Sequence, residues 1–211
     1  MITGASAITA SGPYHRVLLS LPWIASVIST SRNVAIVAIH PDGKGRLELH
    51  TQRQIGEDEG AFGAALGWSP DSARLAYARG RDPAAPDDPT YDAFLEVVGL
   101  DGVERRVFSE SSGWLDDLSW SPDGRSIAVL VGESETSIQV IDLATGIARP
   151  ISRCSSHYDS ALRWSPDGRY LVDACPERHG LVSATGSSDI SEPTIALPAD
   201  AETIDIQRVA P

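Results

Sequence analysis

The chain has 211 residues, of which 42% are hydrophobic, and no uninterrupted apolar run reaches the about eighteen residues that a membrane span requires. We therefore expect one soluble domain without a membrane span. The formal net charge of −12 argues against nucleic acid as a partner, because nucleic-acid-binding proteins usually present a basic face, and it favours a solvated acidic surface.

The N-terminal segment contains an apolar run with the composition of a signal-peptide core. Residues 1–14 are small and polar without periodicity, and we expect them to form a loose arm. The run from Val17 to Ile28 is interrupted by Pro22 and Trp23, and neither a positive cluster nor a clear cleavage site flanks it. The sequence therefore predicts no clear signal peptide.

A ten-residue pattern with the core W-S-P-D occurs three times, in residues 66–75, 118–127 and 162–171. A repeat with a period of about 40 to 50 residues indicates stacked supersecondary units. We interpret its recurring Trp, Pro and Asp as structural: Trp68, Pro70, Asp71, Trp120, Pro122, Asp123, Trp164, Pro166 and Asp167.

Each copy predicts a β-hairpin. The run that ends in Trp is a strand, S-P-D-G is the turn, and the apolar run after it is the returning strand. Proline presets φ, Asp bonds back to the backbone, and Gly takes the left-handed conformation. In the first copy Ser72 replaces this Gly, so we expect its turn to be strained or of another type.

A second hairpin follows each of the first two copies. Residues 94–98 turn at Asp101-Gly102 into 105–108, and residues 138–141 turn at Thr145-Gly146 into 148–151. Two hairpins per repeat make a four-stranded antiparallel sheet, and such sheets arranged radially are the blades of a β-propeller.

The W-S-P-D-G motif followed by an apolar strand resembles the TolB-type, WD-like β-propeller repeat. The resemblance implies an all-β propeller domain over residues 15–211, in which Leu21-Pro22-Trp23 echoes the motif in a degenerate first blade with an outer hairpin of residues 33–39 and 46–50. The expected blades cover approximately residues 15–51, 62–108, 114–152 and 158–198.

Two segments lie outside this regular pattern. Residues 79–90 are rich in proline and charge, and they predict an exposed loop between the second and third strands of a blade. Residues 202–209 alternate as an extra C-terminal strand. This strand either closes a small ring of about four blades or belongs to an incomplete propeller that is completed by other sequence or assembled as a homo-oligomer.

Carboxylates occur where the innermost strands of propeller blades begin. Asp116 and Asp117 in one blade and Asp159 in the next, with His157, are candidate residues for a ligand or a calcium ion at the channel. Solvation or pairing with arginine is the favoured alternative, because only two blades offer Asp there.

Cys154 and His157 precede the first strand of the fourth repeat, and Cys175 and His179 follow its second strand. Antiparallel pairing would bring these two ends together, so the four residues could hold zinc, or Cys154 and Cys175 could form a disulfide in an oxidising compartment. Two free thiols beside two surface histidines are the third alternative.

No nucleophile elbow, zinc-protease, C-x-x-C or phosphate-loop motif occurs in the sequence. The sequence therefore favours a non-enzymatic scaffold, without a catalytic residue or resident cofactor, that engages a protein or peptide through its loop face. The alternatives are a small-ligand-binding, lyase or hydrolase propeller with a site at the channel mouth, and a fragment or subunit of a larger propeller protein. Lys44 is the only lysine, which indicates a GC-rich bacterial genome. The resemblance implies either a periplasmic or a cytoplasmic location.

Overall fold

The fold is given by a computed structural model and is described for residues 17–20, 23–29, 33–53, 62–80, 92–111, 114–132, 135–154, 162–175, 178–185 and 195–196. Every regular element in these ranges is a β-strand, and the fifteen strands form four antiparallel sheets. No helix in these ranges has the length and hydropathy to cross a bilayer. The predicted all-β class is confirmed.

Three sheets are four-stranded, and their strands follow one another in chain order. Blade 1 comprises β1 (Val17–Ser20), β2 (Trp23–Ser29), β3 (Asn33–Ile39) and β4 (Leu47–Arg53). Blade 2 comprises β5 (Phe62–Trp68), β6 (Arg74–Gly80), β7 (Asp92–Gly99) and β8 (Glu104–Ser111). Blade 3 comprises β9 (Trp114–Trp120), β10 (Ser126–Gly132), β11 (Thr136–Asp142) and β12 (Ala148–Cys154).

Blade 4 has three strands in the described ranges, namely β13 (Tyr170–Cys175), β14 (Arg178–Ser183) and β15 (Ile195–Ala196). Of the strand expected before the third S-P-D-G turn, residues 162–164 are described, and Trp164 forms a bridge with Leu171 across the turn. The rest of the predicted strand lies outside the described residues.

The outer hairpins of the three four-stranded blades share an irregularity. Each has a register shift near its middle, at Ile36/Val37, Leu95/Glu96 and Ile138/Gln139. A β-bulge increases the local right-handed twist. The recurring shift therefore gives the three blades a similar twist toward their outer edge.

The apolar core lies in the seams between consecutive blades. Residues 127–131 are all apolar and all buried, so both faces of β10 are covered. Ile127, Val129 and Val131 pack in the seam with blade 2, whereas Ala128 and Leu130 pack in the seam with blade 4. A third cluster, which includes Ile36, Leu75 and Val98, fills the seam between blades 1 and 2. Because successive side chains of a strand point to opposite faces, this one strand contributes to two apolar clusters.

Blade 1 differs from blade 2 at its tryptophan. Trp68 ends β5, whereas Trp23 begins β2, where it pairs with Ser20 and stacks on His40 at 3.8 Å between ring centroids. The expected outer hairpin of blade 1 is present as β3 and β4.

Several predicted segments lie outside the described residues. These are the arm of residues 1–14, most of the loop of residues 79–90 and the strand of residues 202–209. Closure of the ring, by that strand or by another chain, accordingly stays a prediction.

The three S-P-D-x turns share one hydrogen-bond pattern. In the blade 3 turn, Ser121 Oγ donates to Asp123 Oδ1 at 2.6 Å, and Asp123 Oδ1 also accepts from the Arg125 amide at 3.0 Å. Ser121 Oγ in turn accepts from the Ser126 amide at 2.9 Å. The serine hydrogen bond holds the pKa of Asp123 below its usual value, and the pKa values of Asp71 and Asp167 are lowered in the same way.

Ser72 has a φ of 60° where Gly124 has 70°, so the first turn keeps the same type and carries the strain. We expect Ser72→Gly to raise the free energy of unfolding by about 0.5 to 1 kcal/mol, because only glycine adopts the left-handed region without a Cβ penalty. Chemical denaturation measures the change. Gly124→Ser is the reciprocal control and should lower stability by a similar amount; equal stability of Ser72→Gly and wild type would contradict the assignment of strain.

Candidate functional site

The motif tryptophans join neighbouring blades. Trp120 Nε1 donates to the carbonyl oxygen of Gly67 in blade 2 at 2.8 Å, and Trp164 Nε1 donates to that of Ser119 in blade 3 at 2.9 Å. A Cβ at Gly67 would lie 2.6 Å from Leu118 Cδ1, so a larger residue there would force the Leu118 side chain to shift. These contacts repeat from seam to seam and assign the tryptophans a structural role.

Asp117, which was predicted to line the channel, is buried, and both its carboxylate oxygens accept hydrogen bonds. Its Oδ1 accepts from the Leu118 amide at 2.9 Å, its Oδ2 accepts from the Leu162 amide at 2.7 Å, and the Arg163 guanidinium lies 3.9 Å away. Asp117 therefore ties blade 3 to the start of blade 4. Asp116 is half-buried beside it.

Asp159 and His157, the other candidates for the channel, lie outside the described residues. A calcium or small-ligand site there stays a prediction.

The predicted cysteine and histidine group is described in part. Cys154 is buried at the end of β12 and is disulfide-bonded, so its sulfur is not a thiolate available to zinc. The chain's other cysteine, Cys175, ends β13, and its side chain and those of His157 and His179 lie outside the described residues. The pairing of Cys154 with Cys175 stays a prediction.

A charged cluster lies in the seam between blades 1 and 2, on one face of blade 2. Tyr77, Glu96 and Arg106 lie opposite one another on β6, β7 and β8. Glu96 is 4% exposed, and its carboxylate accepts from Tyr77 Oη at 2.9 Å, from Arg79 Nη2 at 2.9 Å and from Arg106 Nη2 at 3.3 Å. The Arg106 guanidinium also lies 3.7 Å over the ring of Phe94.

The environment of Glu96 favours its charged form. Burial opposes ionisation, but the hydrogen bonds and charges of Arg79 and Arg106 outweigh it, so the pKa of Glu96 lies below its usual value. A buried carboxylate held by two guanidiniums is stable only while all three groups are present.

This cluster also contains three groups of the kind that bind metals. His50 Nδ1 lies 2.8 Å from Glu104 Oε1, and one ligand atom from each of His50, Glu96 and Glu104 lies within 4.8 Å of the others. However, Arg79 donates to both oxygens of Glu96 and Arg106 donates to Oε1, so two guanidiniums place positive charge beside any cation. The arrangement is an ion-pair network that joins two blades. Sequence analysis missed it, although Glu96 interrupts the apolar run of residues 93–98 in β7.

A groove opens on the turn side of blades 2 and 3, with a volume of about 390 Å³. Pockets that bind ligands usually range from about 300 to 1,000 Å³. We call it the turn-side groove. Its lining residues are Ala73, Arg74, Val97, Gly99, Leu100, Asp101, Val103, Arg105, Val107 and Leu143.

The turn-side groove has an apolar floor and a polar edge. Val97, Val107 and Leu143 are buried, whereas Val103 at its edge is 67% exposed. Ile147, on the same turn as Leu143, is also 67% exposed. In both blades the exposed aliphatic residue directly follows the turn glycine, and this recurrence of Gly-Val and Gly-Ile is the signal from which the sequence could have predicted the surface.

Comparisons with known proteins agree with this fold. The family model described as Eukaryotic translation initiation factor eIF2A matches residues 91–182. None of the curated proteins matches the sequence significantly.

Solved structures give a broader match. TolB from Acinetobacter baumannii has a TM-score of 0.54 and 18% identity, with 82% of this chain and 41% of that chain covered. A puromycin-hydrolysing peptidase of Mycobacterium tuberculosis has a TM-score of 0.58 and 15% identity over 84% of this chain and 30% of that one. A chain of a nidogen/laminin complex has a TM-score of 0.53 and 14% identity, with 82% of this chain and 60% of that chain covered.

These likenesses confirm the predicted TolB-type β-propeller fold. At these identities the likeness concerns the fold alone. The chain spans about two fifths of the length of the TolB structure.

Proposed function

We propose that this chain is a non-enzymatic β-propeller module that binds a protein or peptide partner at the turn side of blades 2 and 3. The observation that carries the proposal is the pair of aliphatic side chains, Val103 and Ile147, that are 67% exposed on equivalent turns of neighbouring blades. Burial of apolar surface is favourable by about 25 cal/mol per Å², so a partner that covers these two side chains would form a more stable complex with the chain.

The composition of the turn-side groove supports binding over catalysis. Its lining contains no Ser, Thr, Cys, His or Lys, so it offers neither a usual nucleophile nor a histidine base. Its one carboxylate, Asp101, accepts a hydrogen bond from the Val103 amide within the turn. The recurring Ser, Asp and Trp residues of the repeat make turn and seam contacts, which leaves the variable positions to provide a binding surface.

The similar structures share the fold and do not choose between binding and catalysis. One is a chain of a nidogen/laminin complex, whereas another is a peptidase of which this chain covers 30%. A role as a subunit or portion of a larger propeller is compatible with the proposal.

Selection from a random peptide library tests the proposal with defined ligands. The immobilised full chain should enrich peptides that bind it in solution, and the double variant Val103→Asp, Ile147→Asp should lose about tenfold or more in affinity, because two apolar contacts are replaced by charges. Affinity is measured by fluorescence anisotropy.

Ile28→Asp is the matched control, because Ile28 is the other exposed large aliphatic residue of the described chain and lies in blade 1. It should leave the affinity unchanged. The proposal fails if no peptide is enriched, or if the enriched peptides bind the double variant as tightly as wild type.

A further inference from the structure

We infer, on the premise of the proposed binding function, that the turn-side groove recognises an acidic segment of a partner protein, with an apolar side chain in the groove and a carboxylate on Arg105. The inference concerns the chemistry of the ligand, which the exposed aliphatic residues alone do not specify. It rests on the charges at the edge of the groove and on their own partners within the chain.

Arg105 is the available cation. Its side chain is exposed at the edge of the groove, on β8, and it makes no ion pair or hydrogen bond within the described residues. This contrasts with Arg106, the next residue on β8, whose guanidinium is engaged with Glu96 on the opposite face of the sheet. Of two adjacent arginines, one therefore stabilises a seam and the other faces the groove.

Arg74 reinforces the positive edge. One of its Nη atoms donates to the carbonyl oxygen of Gly124 at 3.2 Å, and the guanidinium lies 4.9 Å over the ring of Trp120, which fixes its position. A guanidinium has five N–H donors, so this contact leaves others for a ligand. With Arg74, Arg105 and Asp101, the lining carries one net positive charge in a chain of net charge −12.

The apolar floor of the turn-side groove favours a ligand that carries an apolar side chain as well as a charge. Val97, Val107 and Leu143 can receive an aliphatic or aromatic side chain, while Val103 covers it from the edge. A carboxylate close to that side chain can pair with the planar fork of Arg105. At about 0.15 M salt the Debye length is about 8 Å, so the acidic surface elsewhere on the chain is largely screened from this contact.

Three fluorescent peptides that share a pair of leucines and differ only in their flanking residues test the inference. The flanks are aspartate, asparagine or lysine, and binding to the full chain is measured by anisotropy at one salt concentration. We expect the aspartate peptide to bind about tenfold tighter than the asparagine peptide, since a charge-assisted hydrogen bond is added, and the lysine peptide to bind weakest.

Substitutions locate the selectivity. Arg105→Glu should reverse the order, so that the lysine peptide binds tightest, whereas Val103→Ser should weaken all three peptides about equally. Arg46→Glu makes the same charge change on blade 1, where Arg46 is exposed beside Glu48, and should preserve the order. Thermal unfolding should be the same for Arg105→Glu and wild type, because no described contact is lost.

The outcomes separate this inference from the proposed function. The inference of an acidic ligand is wrong if the lysine peptide binds wild type tightest. It is also wrong if Arg105→Glu does not change the order of affinities of the three peptides. If none of the three peptides binds while library-selected peptides bind in a Val103-dependent way, the ligand chemistry is wrong and the binding function stands. If no peptide from either source depends on Val103, both are wrong.

Discussion

Replacing Glu96 with glutamine is expected to lower the free energy of unfolding by about 3 kcal/mol. The substitution keeps the shape of the side chain but leaves Arg79 and Arg106 without their shared counter-charge in a buried seam. Breaking a buried ion pair by removing one partner costs about 3 to 5 kcal/mol, and the lower end applies because the Arg106 side chain is half-exposed. Urea denaturation at neutral pH measures the change.

The difference in free energy of unfolding between wild type and Glu96→Gln should depend on pH. The folded-state pKa of Glu96 lies below its ordinary value of 4.5, so its ionisation stabilises the fold fully above that pH. As the pH falls below about 4.5 and through the folded-state pKa, this contribution is lost. The stability gap between wild type and Glu96→Gln should therefore narrow as the pH is lowered through this range.

Glu104→Gln is the matched control for Glu96. Glu104 pairs with His50 at 2.8 Å but is about one third exposed, so its loss should cost less than about 1 kcal/mol. Equal costs for the two substitutions, or a gap that does not depend on pH, would refute the account of Glu96 as the centre of the cluster.

Replacing Trp120 with alanine is expected to destabilise the fold by about 4 kcal/mol. The indole is buried in the seam between blades 2 and 3, and its removal leaves a cavity and an unsatisfied carbonyl at Gly67. Trp120→Phe keeps most of the ring and should cost about 1 to 3 kcal/mol, mainly through the lost hydrogen bond. Denaturation curves for the two variants separate the packing and hydrogen-bond contributions.

Trp68→Phe provides the comparison within the same chain. Trp68 occupies the equivalent position in blade 2, but its buried Nε1 has no hydrogen-bond partner among the described residues. Its replacement should therefore cost about 1 kcal/mol or less, because no hydrogen bond is lost. A cost for Trp68→Phe as large as that for Trp120→Phe would show that ring volume, and not the hydrogen bond, dominates at this position.

Local chemistry determined most of the fold. The S-P-D-G turns could be predicted because proline, aspartate and glycine each act on the backbone within a few residues, and the left-handed φ of Gly124 and Ser72 follows from that geometry. The four-stranded blades could be predicted because apolar strands alternate with turn signals at a regular spacing. Blade 1 lacks the S-P-D-G motif, and its Trp23 begins β2, whereas Trp68 of blade 2 ends β5.

The candidate sites depended on tertiary structure because their residues come from strands distant in sequence. Glu96 interrupts an apolar run in β7, and only the pairing of β6, β7 and β8 places Arg79 and Arg106 against its carboxylate. Asp117 looked like a channel ligand, yet its oxygens are held by backbone amides, one of them from blade 4. The turn-side groove exists only where two blades meet. A repeat thus encodes its own turns and strands, whereas seams and grooves arise from residues that differ between repeats and meet only after the blades have packed.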